Sequence, residues 1–293
     1  MLEIIKVIIL SIIEGVTEFL PVSSTGHLIL ANEFVGLEPE SFSNSFMVII
    51  QLGAILAVIA IYFSKLNPFA KDKMDLNLPT KIEKMAGFKG LINRIYFWFA
   101  NNKTAMLWIK IVVATLPAAV LGVLLDDTID ALLFKPIPVV AALILYGVII
   151  IFIEIRNENK TNFKVIDVFK VDFKTAFLIG CFQVLAMWPG TSRSAATIIG
   201  AMILGLNRTA AADFSFFLAI PTMIGATLVK LVKLGSLTGF QWGLIALGFV
   251  MSFVVAYIVI KQFLSYIQKH DFKIFGYYRI ILGIIVLGYF LIF

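Results

Sequence analysis

Apolar positions in this chain run on rather than alternate. Six stretches, 46–63, 107–125, 138–155, 212–232, 241–261 and 276–293, approach the roughly 20 consecutive apolar residues that carry an α-helix across a bilayer. Two more, 2–35 and 175–206, are as apolar but broken in the middle. The first is interrupted by Glu14, Glu18, Pro21, the run Ser23-Ser24-Thr25-Gly26 and His27, the second by Pro189-Gly190-Thr191-Ser192-Arg193-Ser194. Each reads as two short helices joined by irregular backbone. Such backbone survives at membrane depth only where protein or a watery cavity satisfies its polar groups, so both are expected to be re-entrant hairpins lining a site. The pattern predicts an all-α polytopic membrane protein with six transmembrane helices and two re-entrant helical hairpins. Residues 1–13 resemble a leader peptide only superficially, because Glu14 and Glu18 follow with no convincing cleavage site.

The chain repeats itself. Pro21 and Pro189, Ser24 and Ser192, and Phe46 and Phe214 all stand 168 residues apart, and Phe19-Leu20-Pro21-Val22-Ser23-Ser24 answers Met187-Trp188-Pro189-Gly190-Thr191-Ser192. The first copy would occupy 1–155, with hairpin 2–35, the first three spans and a loop at 65–106. A linker at 156–174 leads to the second copy, 175–293, with hairpin 175–206 and the last three spans. An odd number of crossings per copy turns the second upside down, which predicts an inverted-topology repeat with the hairpin tips meeting near the midplane.

Composition supports the membrane assignment. Of 293 residues 60% are hydrophobic and 14% charged, against roughly 45–50% and roughly 25% in soluble domains, which excludes a soluble globular fold. The net charge of +6 then reads as an excess of basic residues in cytoplasmic loops, not as a nucleic-acid footprint. Lys65, Lys71, Lys73, Lys81, Lys84, Lys89, Arg94 and Lys103 place the 65–106 loop inside, as do Arg156, Lys160, Lys164, Lys170 and Lys174 for 156–174. Lys261, Lys269, Lys273 and Arg279 do the same for the last loop. Asp126, Asp127 and Asp130, with Lys135 as the one base, suit the outside, where both termini would also lie; Lys230 and Lys233 violate the scheme slightly. Arg94-Ile95-Tyr96-Phe97-Trp98-Phe99 reads as an interfacial amphipathic piece. The single cysteine, Cys181, is expected to pack in the core.

Charge at bilayer depth is expensive and so points to function. Glu14, Glu18, His27 and Arg193 qualify. Glu14 and Glu18 lie four apart, on one helix face, where their mutual repulsion is useful only for holding a cation or a proton. Ser23, Ser24 and Thr25 precede one apolar helical run and Ser192 and Ser194 flank the start of another, an N-cap arrangement. Two helix N-termini converging with the fork of Arg193 make an anion site, with Thr197 one turn further on. A diphosphate of about −3 beside two glutamates gives about −5, against at most about +2 from Arg193 and a protonated His27; each uncompensated like pair about 5 Å apart costs ~3 kcal/mol. A divalent cation, Mg²⁺ or Ca²⁺, held by Glu14 and Glu18 with substrate phosphate, would relieve this. Gln51 lies in the first span and suits a hydrogen bond across helices, Asp213 is expected to cap the fourth span, and Gly243 with Gly248 permits the close helix contact a homodimer would use.

Glu14-Gly15-Val16-Thr17-Glu18-Phe19-Leu20-Pro21-Val22-Ser23-Ser24-Thr25-Gly26-His27 and Pro189-Gly190-Thr191-Ser192-Arg193-Ser194-Ala195-Ala196-Thr197 resemble the two signature motifs of the bacterial undecaprenyl pyrophosphate phosphatases, the bacitracin-resistance family. The likeness extends through Phe46 to Ala57, with Gln51, and through Phe214 to Ala226; 65–106 carries no motif. It implies a plasma-membrane phosphatase that converts a C55 isoprenyl diphosphate to the monophosphate and regenerates the lipid carrier for peptidoglycan, with its site open to the extracytoplasmic side. It further implies functional roles for Glu14, Glu18, Ser24, His27, Ser192, Arg193 and Thr197. Glu14, Glu18, Ser24, His27 and Arg193 are the expected catalytic set, with Ser23, Thr25, Gln51, Ser192, Ser194 and Thr197 as substrate ligands. Ser24, His27 and water all stay open as nucleophile. The rival class is a lipid-carrier flippase, since inverted repeats and broken helices are also transporter architecture.

Overall fold

The computed structural model describes residues 1–69, 87–133, 136–232 and 237–292. Lys71, Lys73, Lys81, Lys84, Lys135 and Lys233 lie outside the described residues, as do the side chains of Asp126, Asp127, Asp130 and Lys230. Among the described residues the fold is helical, with one isolated bridge between Val165 and Leu206. The helices are α1 (Leu2–Thr17), α2 (Ser24–Val35), α3 (Glu40–Ile61), α4 (Phe63–Leu66), α5 (Gly87–Asn101) and α6 (Lys103–Leu133). They continue with α7 (Pro136–Asn157), α8 (Phe173–Val184), α9 (Arg193–Ile203), α10 (Arg208–Val232), α11 (Gly239–Ile267) and α12 (Lys273–Ile292).

Six helices are long and apolar enough to cross a membrane: α3, α6, α7, α10, α11 and α12. They coincide with the six apolar stretches of the sequence. Most of their ends reach further than the stretches because a helix continues into polar residues wherever its backbone bonds continue, as from Phe46 back to Ser41. The broken stretches form helix pairs instead. At 1.5 Å per residue α2, α8 and α9 are about 16–18 Å long and α1 about 24 Å, each short of the roughly 30 Å hydrocarbon core. In the first pair the Lys6 ammonium donates to the Gly36 carbonyl (2.7 Å), tying the start of α1 to the end of α2, so the two run antiparallel. Helix α5 is amphipathic and exposes Phe88, Leu91, Ile92, Ile95 and Tyr96, while Trp98 stacks on Phe69 at 5.6 Å.

The helix contacts exchange the two halves of the chain. Helix α1 packs on α11, and α8 on α6; α3 packs on α10 and α11, and α10 on α6; α7 pairs with α12. Each helix pair therefore leans on a long helix from the other half. The larger apolar core joins Phe19 to Phe214, Phe216 and Phe217 of α10 and to Phe263 of α11. Helices α7 and α12 approach closely because both are glycine where they cross: a Cβ on Gly147 would lie 2.8 Å from the Gly276 carbonyl oxygen, and one on Gly276 2.8 Å from that of Gly147.

Two expectations are corrected. Asp213 does not cap α10. That end is capped by Asn207, whose Oδ1 accepts from the Ala210 N–H (2.8 Å), and Asp213 instead accepts from Tyr62 Oη (2.5 Å) and Lys65 Nζ (2.6 Å). Cys181 is exposed, because the neighbouring Gly180 is the residue pressed against α6, where a Cβ would come 2.1 Å from the Ala114 carbonyl oxygen. Gly248 is spent inside the chain: Phe46 and the Ser11 hydroxyl occupy the space over it.

Candidate active site

The two tips are built alike. Glu18 to Ser23 turn the chain between α1 and α2, and Trp188 to Ser192 turn it between α8 and α9. Ser23 (φ 75°) and Ser192 (φ 74°) are the non-glycine residues with positive φ among those described. Each caps the helix that follows: Ser23 Oγ accepts from the Gly26 N–H (3.3 Å), Ser192 Oγ from the Ala195 N–H (3.2 Å). A strained backbone at one position of both tips marks a geometry the surroundings must enforce. It pairs Ser23 with Ser192, one position out of step with the 168-residue offset that pairs Pro21 with Pro189. Since Ser23 is the cap, the hydroxyl of Ser24 is released for other work.

That hydroxyl donates to Glu18 Oε2 at 2.5 Å. The other oxygen of the same carboxylate, Oε1, accepts from Arg193 Nη2 at 3.0 Å, and Nη1 donates to the Ser215 carbonyl at 2.9 Å. Glu18 thus joins the tips directly, with one oxygen on each. All three side chains are largely buried, Glu18 to 6% exposure, so the ion pair is screened little and the hydrogen bonds to charge are strong. Arg193 also lies over the Phe19 ring, 5.7 Å from its centre. Two of its five N–H donors are committed by these bonds, which leaves donors for a ligand.

Glu14, one turn before Glu18, is fully buried, and neither of its carboxylate oxygens has a hydrogen-bond partner among the described residues. An unpaired buried carboxylate is costly and calls for a proton or a cation. Beside Glu18 it offers the one or two carboxylates from which Mg²⁺ is held when substrate phosphate supplies the rest. No group of three or more His, Cys, Asp or Glu side chains positioned for a metal occurs among the described residues, so a cation here would need oxygens from the ligand.

The remaining expected residues divide. Ser194 and Thr197 are both fully buried and face protein. Ser194 Oγ donates to the Leu20 carbonyl (2.9 Å), and Thr197 Oγ1 bonds to the Arg193 carbonyl (2.9 Å) and to Ser215 Oγ (2.7 Å). In this structure their hydroxyls bond to protein groups of both tips and of α10. Ser192 and Thr25 stay half-buried at the two helix N-termini. His27 has both ring nitrogens engaged: Nδ1 lies 2.7 Å from the Ser23 carbonyl, to which it donates, so Nε2 accepts from Tyr278 Oη at 2.6 Å. Gln51 is half-buried and hydrogen-bonds to no other described residue. Its place in this site has no contact to support it.

Sequence reading missed three participants. Ser215 holds both Arg193 and Thr197, Tyr278 holds His27, and Arg279, counted above as a loop charge, is fully buried in α12 beneath both tips. Its guanidinium donates to the carbonyls of Pro21 (3.2 Å) and Gly190 (2.6 Å) and, on α7, of Ala142 (3.4 Å) and Leu143 (3.3 Å). The basic residues that remain near the last loop are Lys261, Lys269 and Lys273. A signal was present, since Arg279 follows Gly276-Tyr277-Tyr278 inside an apolar span, the kind of placement used above to single out Arg193.

The sequence profile of the family described as bacitracin resistance protein BacA matches residues 7–285. The chain is 50% identical over 292 residues to undecaprenyl-diphosphatase 1 of Clostridioides difficile, covering 99% of this chain and 97% of that protein. It is 48% identical over 296 residues to the undecaprenyl-diphosphatase of Limosilactobacillus fermentum, covering 99% and 98% of the two chains. It is also 46% identical over 288 residues to the undecaprenyl-diphosphatase of Enterococcus faecalis, covering 98% and 96%. With a matched profile that spans nearly the whole chain and both tips within it, this protein belongs to the BacA bacitracin-resistance family.

Proposed function

We propose that this protein is an undecaprenyl-diphosphatase of the bacterial plasma membrane. It would hydrolyse undecaprenyl diphosphate to undecaprenyl phosphate and inorganic phosphate, which recycles the lipid carrier of peptidoglycan synthesis and confers resistance to bacitracin. The observation that carries the reading is the Ser24–Glu18–Arg193 chain of hydrogen bonds, in which a buried hydroxyl is bonded to a carboxylate base beside a guanidinium suited to phosphate oxygens. Ser24 is the group activated in this arrangement. In one route Oγ attacks the terminal phosphorus as its proton passes to Glu18, the bridging oxygen leaves with the lipid monophosphate, and water then hydrolyses the phosphoserine to release phosphate and restore the hydroxyl; in the other a water oriented by Ser24 attacks directly, gives its proton to Glu18, and the bridging oxygen leaves in the same way. Arg193 and the first-turn N–H groups of α2 and α9 stabilise charge on the transferred phosphoryl group. His27 supports the tip, because its nitrogens face Ser23 and Tyr278.

Glu14 and Glu18 would hold a divalent cation, Mg²⁺ or Ca²⁺, which would neutralise charge on the diphosphate; the unpaired oxygens of Glu14 support this assignment. The short helix pairs would be re-entrant, entering from opposite faces as an inverted repeat, a reading supported by their length and by the exchanged packing of the two halves. The basic residues at 156–174 and at 261–273 support a cytoplasmic side opposite the open face of the site, with both termini extracytoplasmic. Both tips come from one chain.

The test is release of inorganic phosphate from an isoprenyl diphosphate by detergent-purified protein, beside Glu18→Gln and Arg193→Ala, with Mg²⁺, Ca²⁺ or chelator. Release by the wild type, a loss of about 10³-fold or more in each variant and abolition by chelator are expected. A folded wild type that releases no phosphate in any cation would overturn the enzyme reading in favour of a lipid-carrier transporter.

A further inference from the structure

Arg279 is the largest fully buried side chain of the described residues, and the mechanism above assigns it nothing. A guanidinium sealed inside a membrane protein is ordinarily paired with a carboxylate. This one is not: its partners among the described residues are the four carbonyls of Pro21, Ala142, Leu143 and Gly190, with the Tyr146 ring 5.9 Å away. Two of those carbonyls belong to the irregular backbone of the two tips, where no helix supplies a donor. The other two lie on α7, whose Val139 carbonyl backs onto Gly190 so closely that a Cβ there would sit 2.4 Å from it. The neighbouring Tyr278 grips the first tip from its exposed side through His27.

We infer that Arg279 is a positioning residue that sets the spacing between the two tips, and hence between Ser24 with Glu18 on one and Arg193 on the other. The planar fork is what allows this. Nη1 reaches Pro21 while Nη2 reaches Gly190, so one rigid group spans two backbones that otherwise meet through side chains alone. A lysine ammonium keeps the charge but presents a single point, and cannot hold both carbonyls at a fixed separation. Misplacement by about 1 Å is enough to cost on the order of 10²-fold in rate. Because ground-state binding of the diphosphate tolerates looser geometry than the transition state, the loss should fall on kcat and spare KM.

This inference rests on the phosphatase reading, and its test separates the two. Arg279→Lys and Arg279→Gln, the second carrying no charge to strand if the first fails to fold, are compared with wild type for kcat, KM and thermal unfolding. In parallel, spin labels at Ile29→Cys on α2 and Ile203→Cys on α9, both exposed, in a Cys181→Ser background report the distance between the helices that follow the tips. The expected result is a fall in kcat of about 100-fold with KM within about threefold, together with a broadened distance distribution. Unchanged kcat per folded molecule and an unchanged distance would overturn the inference whatever happens to the unfolding temperature. So would a fall in kcat at an unchanged distance, which would make Arg279 an electrostatic participant. A wild type without phosphate release sinks the phosphatase reading alone, since the distance still reports whether Arg279 spaces the tips.

Discussion

Glu14 and Glu18 are the same residue type one helical turn apart, yet the fold gives them opposite circumstances. Glu18 has a partner on each oxygen, whereas the oxygens of Glu14 have no hydrogen-bond partner among the described residues. Glu14→Gln should therefore leave the stability of the cation-free protein within about 1 kcal/mol of wild type, because without a cation a proton neutralises the buried carboxyl and the amide is neutral too. The same change should raise the Mg²⁺ concentration needed for half-maximal phosphate release by about tenfold or more. Melting curves with and without Mg²⁺ check both, and a variant that melts well away from wild type in chelator would contradict the first. At His27, a role in holding the tip predicts that His27→Asn and Tyr278→Phe each lower kcat by about tenfold, the worth of one hydrogen bond of ~1.4 kcal/mol. The double variant should be no worse than the poorer single, because both remove one shared bond. The sequence exposed Glu14, Glu18 and Arg193 because charge inside an apolar run is conspicuous. It concealed Arg279, which follows a run of loop lysines, and Ser215, whose contribution is partly a backbone carbonyl that any residue possesses.

Among the elements, the tips are where sequence and geometry meet most closely. Proline, glycine and serine in a short run announce a turn and a helix start, and both were legible. What was not legible was which serine does the capping, since Ser23 and Ser24 are equivalent as caps until the backbone conformation is known. Gly190 shows what the turn demands. Its φ of +92° suits glycine, and the space a Cβ would take is filled by the Val139 carbonyl. Gly190→Ala should cost about 1–3 kcal/mol of stability and lower phosphate release more than it lowers the folded fraction, because Arg279 holds the carbonyl of this same residue. Thermal unfolding and kcat measured on the same preparation separate the two effects. The six long helices were readable from apolar length alone; their ends were not, because hydropathy records where a helix meets lipid and not where its backbone bonds stop.

Taken whole, the molecule is fastened in places remote from the tips. Arg208 makes a bidentate pair with the buried Glu154 (3.0 and 2.5 Å), which also accepts from the Phe272 N–H (3.0 Å), so α7, α10 and the start of α12 meet on one carboxylate. Glu154→Gln should cost about 1–3 kcal/mol of stability by taking the negative charge from the Arg208 and Phe272 N–H bonds while leaving kcat per folded molecule unchanged, a contrast with Arg279→Lys that unfolding and rate measurements on the same samples would reveal. The 168-residue offset in the sequence did not foretell that each helix pair would pack on a long helix from the other part of the chain, because linear spacing carries no information about partners. That exchange sets a schedule for biogenesis. Helix α1 is made before α11, yet Gly15 beside Glu14 packs against Ser252 and Val255 of α11, about 240 residues later in the chain. At 5–20 residues per second the wait is roughly 12–50 s. For most of that interval Glu14 and Glu18 have neither Arg193 nor α11 beside them, so the newborn hairpin depends on whatever shelters it at the membrane until those later segments arrive.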